Sequence, residues 1–503
     1  MSRVNGVSNM VFSSSMQKPD TRNVEGYPAY TRSLEEQYVQ SLLTNTIGGS
    51  YYTSRERDFE QATGLHQAML QKDPKFMAGA LGFARSAGYM RLQPIIGLAH
   101  LSSKHPELMD STYHNVVKIP DDLFEFKTIL NAMGRGEGGR AIKRNDSKFM
   151  NNVSEYWAIK YNGRGRGYNL TDILRTSHPA PINEKQQAIF GYLTEKPYDA
   201  HQVPQISSYV ALRSAKNDKD ICSIISEGKL PHEVVTGVLS HMSPTVWKAL
   251  VPQLPKMALL RHLNTLDRNG LLADADVRNI IEHKMMDAKG MILPFQYMKA
   301  YEAMTNVWAR GIIGKALENS FNAIPDIHGR TAIFLDISGS MSGLFVKTAS
   351  IFALALFKKT GGEAIFNRFN TRCVPVNPSM TAGILNQAEE IARSYGGGTD
   401  TGVCVKDIHD RKEKVDNIIC ITDEAQNTGS PFYARLRHYR RKINPNTRAF
   451  IIDVSSYQGG MVPQEDALTN YIYGWSDNVL KYIPLVTQGF GGMVDDIRQN
   501  WVK

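Results

Sequence analysis

Five residues in the last third of the chain have side chains of the types that bind a hard divalent cation. Asp336, Ser338 and Ser340 form a D-x-S-x-S pattern, which places one carboxylate and two hydroxyls on a single tight loop. Further along, Thr399 follows three consecutive glycines and Asp423 ends an apolar run. Oxygen ligands of this kind suit Mg²⁺. The alternative interpretation is ordinary turns with a structural aspartate and no metal, because Asp, Gly and Ser are common turn residues.

Predicted strands precede the loops of Asp336 and Asp423 and would position them. Apolar, β-rich runs predict strands over residues 331–337, 364–369, 417–422 and 448–454. Helical patterns predict helices between them over residues 344–358, 380–393 and 433–441. Strands that alternate with helices indicate a doubly wound α/β fold with a mostly parallel sheet. Because such sheets bind ligands at the carboxyl ends of their strands, the three loops could converge at one edge.

The same region lacks the sequence patterns of common catalytic sites. No Walker loop, nucleophile elbow or H-E-x-x-H pattern accompanies the aspartates. His328 precedes the first strand, so we expect it at the opposite end of the sheet. We therefore predict a binding site and no enzyme activity, and a hydrolase that uses the metal is the least favoured interpretation.

The first two-thirds of the chain is predicted to be helical. Apolar residues recur there at helical spacing, and Ser243 followed by Pro244 is typical of a helix start. Strand-like alternation is scarce before residue 330. Helix after helix joined by short loops predicts a stacked α-helical array. The predicted domains are a helical domain over residues 20–325 and an α/β domain over residues 326–503.

Basic charge is concentrated in the helical part. The formal net charge is +9, of which residues 1–325 carry +7 and residues 326–503 carry +2. Residues 132–180 hold nine basic and four acidic residues, interleaved with glycine. The basic residues are Arg135, Arg140, Lys143, Arg144, Lys148, Lys160, Arg164, Arg166 and Arg175. Arg and Lys neutralise phosphate and glycine lets the backbone approach it, so this stretch predicts contact with nucleic acid.

Aromatic and histidine side chains in the basic stretch add to this prediction. Tyr161 and Tyr168 could stack on unpaired bases, and His178 could contact a phosphate or a base edge. The alternative is a solvated loop between helices, with His178 as a packing residue. A second basic run at residues 437–442 is interpreted as the exposed end of a helix, and RNA contact there is the less favoured alternative.

Composition excludes several classes of protein. A chain of 503 residues with 42% hydrophobic residues is long enough for more than one domain and unlike a disordered chain. No run of about 18 apolar residues occurs, so no membrane span is expected, and residues 1–17 lack the apolar core of a secretion signal. Cys222, Cys373, Cys404 and Cys420 form no C-x-x-C pattern, which indicates a reducing, cytoplasmic location with the cysteines as small core residues.

The two groups of residues together resemble a known family. The basic stretch contains GRG at residues 134–136, YWAIKY at 156–161 and DILRTSH at 172–178. Further matching segments are GGSYY at 48–52, VWKAL at 246–250 and ALLRHL at 258–263. With the D-x-S-x-S segment behind them, they resemble the Ro autoantigen family in its bacterial form, in which a TROVE module precedes a von Willebrand factor A domain. The resemblance covers roughly residues 20–500.

The resemblance implies a fold and a metal site. The helical module would be a ring of HEAT-like repeats, closed with the help of the A domain. The A domain would carry a metal-ion-dependent adhesion site that binds Mg²⁺ or Mn²⁺ and leaves an open position for a partner's carboxylate. The implied ligands are Asp336, Ser338, Ser340, Thr399 and Asp423.

The resemblance also implies an RNA-binding function. Family members accept single-stranded 3′ ends of misfolded or defective noncoding RNAs and bind small Y RNAs on an outer basic surface. Lys160, Arg164 and His178 match family residues implicated in RNA binding. The glycine-rich loop differs from that of animal relatives, so Arg166 could replace Arg164 in this role. Three further candidates are chosen by charge and position: Arg140, Lys143 and Arg144.

The implied partners follow from the same family. They are misfolded noncoding RNA, a Y-like RNA and an exoribonuclease such as polynucleotide phosphorylase, bound by a monomeric, cytoplasmic protein that acts in RNA quality control. The alternative function is a metal-dependent protein-interaction scaffold without RNA binding. The metal loop favours this alternative, and the basic, glycine-rich stretch argues against it.

Overall fold

The chain divides into two compact units. The computed structural model describes residues 18–44, 55–136, 138–162, 167–287, 292–457, 459–488 and 491–502. One unit, called the α/β unit below, comprises Met1–Gln93, Leu293–Met298 and Leu317–Lys503. The other, called the helical unit, comprises Pro94–Ile292 and Lys299–Ala316. None of the helices in the described residues has the length and apolar character needed to cross a membrane.

The helical unit is a succession of short helices. Its α-helices between the two borders are Pro106–Val116, Pro120–Ala132, Arg140–Met150, Glu155–Lys160, Leu170–Ser177, Glu184–Leu193, Pro204–Leu212, Asp218–Gly228, His232–Val238, Pro244–Leu250, Lys256–Arg268 and Ala275–Met286. Three more helices contain the borders of the units: Leu92–Lys104, Pro294–Ala303 and Val307–Ser320. Several helices begin at a proline or after a capping side chain, as at Ser243, whose hydroxyl accepts from the N–H of Val246. The predicted helical array is confirmed.

A six-stranded sheet forms the centre of the α/β unit. A small hairpin of β1 (Thr21–Arg22) and β2 (Pro28–Ala29) precedes it. The six strands are β3 (Thr331–Asp336), β4 (Ile365–Phe369), β5 (Cys373–Pro375), β6 (Asn417–Thr422), β7 (Arg448–Asp453) and β8 (Thr469–Tyr473). Their order is β5-β4-β3-β6-β7-β8, and only the pairing of β4 with β5 is antiparallel. The prediction of a mostly parallel α/β sheet is confirmed.

Helices connect and flank the strands of this sheet. After β3 they are Leu344–Lys359, Ile384–Ala392, Val403–Asp410, Phe432–Lys442, Tyr482–Thr487 and Met493–Asp496. The first and fourth match the predicted helices closely, and the second begins later than predicted. Helix Val403–Asp410 and the edge strands β5 and β8 were not predicted. The two strands lack the long apolar run that identifies β3 and β6, whose residues are all buried.

The N-terminal residues belong to the α/β unit. Besides the hairpin, they form the helices Leu34–Thr44, Arg55–Lys72 and Pro74–Ser86. Arg32, just before the first of these, forms buried ion pairs with Glu424 and Asp453 at the ends of β6 and β7. The compact units therefore differ from the predicted division at residue 325, which followed the change in secondary structure, because long-range packing joins described residues of the N-terminal part to the sheet.

Candidate functional site

The predicted metal ligands lie at the carboxyl edge of the sheet. Asp336 ends β3 and Asp423 directly follows β6, the neighbouring strand. The backbone N–H of Ser338 donates to Asp336 Oδ1 at 2.8 Å, and the hydroxyls of Ser338 and Ser340 lie 3.3 Å apart. The hydroxyl of Ser340 lies close enough to Asp423 to oppose the rise that burial causes in the pKa of Asp423. The structure thus brings these four side chains together, as the convergence of the loops predicts.

The loop of Thr399 joins the same site through its backbone. The N–H of Gly339 donates to the carbonyl of Gly397 at 2.9 Å, and the N–H of Asn427 donates to the carbonyl of Thr399 at 3.1 Å. The side chain of Asn427 in turn accepts from the N–H of Thr399 at 2.9 Å. These bonds hold the glycine-rich loop against the loops that follow β3 and β6. Thr399 is buried, with 2% of its surface exposed.

The two carboxylates of this site are buried close together. Burial raises the pKa of Asp336, although hydrogen bonds from Ser338 and Thr422 oppose the shift. Burial also raises the pKa of Asp423, and repulsion from Asp336 adds to it. Asp423 Oδ2 is buried and has no hydrogen-bond partner among the described residues. Buried polar atoms in native proteins normally have partners, so this oxygen and the adjacent hydroxyls fit a hard divalent cation.

Other metal sites find no support in the described residues. They contain no group of three or more His, Cys, Asp or Glu side chains that could hold a metal ion. A cation at the sheet edge would thus depend on hydroxyl ligands as well as on the two aspartates. The carbonyl of His328 accepts from Asn417 at the start of β6, so His328 lies at the opposite end of the sheet, as predicted.

Lys160 in the helical unit is ion-paired. It ends the helix Glu155–Lys160, and its Nζ lies 2.8 Å from Glu233 Oε1 and 5.2 Å from the ring centre of Tyr161. Burial alone would raise the pKa of Glu233, but its contacts with His232 and Lys160 lower it to about 2. Tyr161 is buried, so its ring cannot stack on a base without a rearrangement. Sequence inspection missed Glu233 because it lies far along the chain from Lys160.

The other basic candidates differ in their exposure and in their ion pairing. Arg140 and Lys143, on the helix Arg140–Met150, are exposed and form no ion pair within the described residues. Arg144 is paired with Asp110 at 2.8 Å. Arg164 and Arg166 lie outside the described residues, as does the GGSYY segment at 48–52.

His178 lies beside a groove that sequence inspection did not reveal. It caps the helix Leu170–Ser177 in a left-handed conformation, with φ 49°. A cavity of about 560 Å³ opens between this helix and Glu184–Leu193, lined among others by Arg175, His178, Phe190 and Lys196. Within the described residues neither Arg175 nor Lys196 has an ion-pair partner. We call this feature the basic groove; its sequence signal is weak, because Phe190 and Lys196 lie outside the basic stretch.

The second basic run is only partly exposed. Arg441 and Lys442 are exposed at the end of the helix Phe432–Lys442, as predicted. Arg440 is buried and pairs with Asp466 at 2.6 Å. This arginine therefore has a structural role, which the sequence alone did not distinguish from that of its neighbours.

Comparisons with known proteins match both modules. The family model described as TROVE domain matches residues 238–358, and the model described as Ro60 vWA domain matches residues 330–484. A curated relative, the RNA-binding protein RO60 of Deinococcus radiodurans, is 24% identical over 490 residues, which cover 88% of this chain and 90% of the relative. In both modules the chain is similar to the Ro family. The resemblance to bacterial members of the Ro family is thereby confirmed.

A solved structure supports the fold of this chain. The crystal structure of the Deinococcus radiodurans RO (RSR) protein superposes with a TM-score of 0.61 at 19% sequence identity. The match covers 90% of this chain and 99% of that one. At this identity the likeness establishes a shared fold. The basic stretch at residues 132–180 lies outside the residues that the TROVE model matches.

Proposed function

We propose that this chain binds RNA through its helical unit. Its ligands are misfolded or defective noncoding RNAs with single-stranded 3′ ends and small Y-like RNAs. The observation that carries the proposal is the basic groove, in which Arg175 and Lys196 are cationic and lack ion-pair partners within the described residues. The relative from Deinococcus radiodurans, the RNA-binding protein RO60, adds support.

The chemistry of the basic groove suits a nucleotide. Its volume of about 560 Å³ falls within the range of small-ligand sites, roughly 300–1,000 Å³. Arg175 and Lys196 can neutralise a phosphate, and the exposed ring of His178 offers surface for a base. Exposed Arg140 and Lys143 add positive charge on the same unit. Contacts of this kind recognise the backbone of RNA and its unpaired state, and they depend little on its sequence.

Replacing Arg175 and Lys196 together with glutamine should weaken RNA binding. A hydrogen bond to a charged group contributes about 1.5–3 kcal/mol, so the loss should be at least about tenfold. The slope of log K against log salt should also become shallower by about 1.4, which is about 0.7 for each phosphate contact to a single strand. The measurement is a gel-shift titration at several salt concentrations, with an RNA that carries a single-stranded 3′ tail.

Two variants serve as controls for this titration. Lys248→Gln removes a cation already paired with Asp274 at 2.6 Å, so the affinity should change little. Lys160→Gln should have a smaller effect than the double variant, because Glu233 already neutralises Lys160. Wild-type affinity and salt slope in the double variant would refute the groove as the RNA site. Salt-insensitive binding by the wild type would refute phosphate contact altogether.

We further propose that the sheet edge of the α/β unit binds Mg²⁺ or Mn²⁺. The ligands are Asp336, Ser338, Ser340, Thr399 and Asp423, and the buried, partnerless Asp423 Oδ2 supports the proposal. When bound, the cation offers a coordination position to a carboxylate of a protein partner. The chain's own residues hold the three loops together and keep them buried. This arrangement is also what favours the second candidate function, a metal-dependent protein-interaction scaffold without RNA binding.

Mg²⁺ should stabilise the protein through these ligands. At about 100 times its dissociation constant, a ligand that binds only the folded state adds about 2.7 kcal/mol of stability, seen as a rise in melting temperature. Asp336→Ala should abolish the rise and leave RNA affinity nearly unchanged. Asp410→Ala, which removes an exposed aspartate, should keep the rise. An equal rise in Asp336→Ala would exclude the proposed ligand set.

The remaining parts of the proposal concern the cellular role. The chain acts as an RNA-tethered scaffold in noncoding RNA quality control, as a cytoplasmic monomer without catalytic activity of its own. The protein partner is an exoribonuclease such as polynucleotide phosphorylase. Sequencing the RNA that co-purifies with the chain would test the RNA classes directly, because a predominance of intact messenger RNA would contradict them.

A further inference from the structure

Two thiols of the α/β unit lie in contact although 31 residues separate them in the chain. The Sγ atoms of Cys373 and Cys404 are 3.1 Å apart, and neither cysteine is in a disulfide. A disulfide bond measures about 2.05 Å, so the sulfur atoms need to approach by only about 1 Å to form one. The other cysteine in this part of the fold, Cys420, is fully buried in β6.

The two thiols differ in their access to solvent. Cys373 is the first residue of β5, the edge strand of the sheet, and its side chain is partly exposed. Cys404 lies in the first turn of the helix Val403–Asp410 and is buried. Burial, with the neighbouring Cys373 thiol, raises the pKa of Cys404 well above its usual range. A small oxidant can therefore reach Cys373. Cys404 is the second, buried thiol, which can react with the oxidised Cys373.

We propose that Cys373 and Cys404 form an oxidant-reactive dithiol that closes to a disulfide. The Cys373 thiolate attacks one oxygen of hydrogen peroxide, the O–O bond breaks, and Cys373 becomes a sulfenic acid while the leaving hydroxide is protonated to water. The Cys404 sulfur then attacks the Cys373 sulfur, so that an S–S bond forms and the S–O bond breaks. The released hydroxide takes the Cys404 proton as a second water. Two thiols and one peroxide give one disulfide and two waters.

The bond would link two parts of the fold that border the proposed metal site. On one side is the hairpin of β4 and β5, where the carbonyl of Asn370 accepts from the N–H of Asp400 at 3.0 Å. On the other side is the helix that directly follows the loop of Thr399. The side chain of Asn370 also donates to the carbonyl of Gly396 at 2.8 Å. Oxidation would thus add a covalent bond beside the hydrogen bonds that already hold the loop of Thr399. The inference does not depend on RNA or metal binding.

Peptide mapping of the full-length protein tests the dithiol. The reduced protein is treated with hydrogen peroxide, free thiols are blocked with N-ethylmaleimide, and the protein is digested with trypsin. Because arginines at 372 and 393 and a lysine at 406 flank the two cysteines, trypsin places them on separate peptides. We expect a cross-linked peptide pair whose mass is about 2 Da below the sum of the two, and dithiothreitol should separate it.

Three variants decide the assignment. Cys373→Ser, on the edge strand, and Cys404→Ala, which keeps a small apolar group in the core, should each abolish the cross-link. Cys222→Ser should leave it unchanged, because Cys222 lies in the helical unit with its thiol near the carbonyl of Thr245. A stable sulfenic or sulfinic acid on Cys373 without a cross-link would overturn the proposal. So would a bridge from Cys404 to Cys420, or full alkylation of Cys373 after peroxide treatment.

Discussion

Replacing Arg32 with methionine should destabilise the α/β unit by about 3–5 kcal/mol, because the change leaves buried carboxylates without their cation. Arg32 is buried and pairs with Glu424 and, at 3.2 Å, with Asp453. Its guanidinium also lies 4.6 Å from the ring centre of Tyr471. The same two carboxylates have further partners, such as Gln40, which donates to Asp453 at 2.8 Å. Those hydrogen bonds do not replace the lost charge.

Hydrogen exchange measures this loss in the relevant unit. A chain with two units need not unfold in one step, so a signal confined to the α/β sheet is preferable to a global one. Protection of the slowest amides in β6 and β7 should fall by about 10²- to 10⁴-fold. Arg22→Met is the matched control, since Arg22 is exposed in the same N-terminal segment, and the effect should stay within about 0.5 kcal/mol. Equal protection in Arg32→Met and Arg22→Met would contradict the structural role of Arg32.

Arg440→Met should also destabilise the α/β unit by about 3–5 kcal/mol. Arg440 is 1% exposed, pairs with Asp466 at 2.6 Å and donates to the carbonyls of Thr447 at 2.9 Å and Leu468 at 3.2 Å. Methionine fills much of the space but leaves Asp466 buried without its cation. We expect the melting temperature of this unit to fall by an amount on the order of 5–15 °C.

The neighbouring arginine provides a stringent control for Arg440. Arg441→Met removes the same charge from the same helix, but Arg441 is exposed, so the melting temperature should hardly change. Arg440→Lys should give an intermediate loss, because lysine keeps the charge but lacks the planar fork that reaches several acceptors at once. If Arg440→Met and Arg441→Met had the same melting temperature, the buried ion pair would contribute nothing measurable to the stability of the unit.

Much of the fold could be predicted because it depends on local signals. The strands β3 and β6 are largely apolar, neighbouring strands; β3 ends in Asp336, and Asp423 directly follows β6. The strand β8 has the sequence TNYIY, and β5 has only three residues. Neither has the apolar pattern or the length by which a strand is recognised in a sequence. The loops of Asp336 and Asp423 were predictable for the same reason as β3 and β6, since each directly follows one of these strands. The glycine-rich loop of Thr399 instead follows the helix Ile384–Ala392.

Features that depend on distant partners could not be predicted. Lys160 has the sequence context of an RNA ligand, but Glu233 neutralises it. Arg440 lies in a basic run of the kind that is usually exposed. In the structure it is buried, where it pairs with Asp466 and donates to backbone carbonyls. The contact between Cys373 and Cys404 follows from the packing of an edge strand against a helix. Sequence patterns report which side chains are available, and only the packing decides which of them remain free.

The partners of Arg32 have a consequence for the synthesis of this protein. Glu424 lies 392 residues after Arg32, and Asp453 lies 421 residues after it. A ribosome that adds about 5–20 residues per second needs about 20–80 s to reach them. During that time the N-terminal helices have no sheet to pack against, while most of the helical unit is completed. The residues around Arg32 thus emerge long before their buried partners and are among the last to reach their final positions.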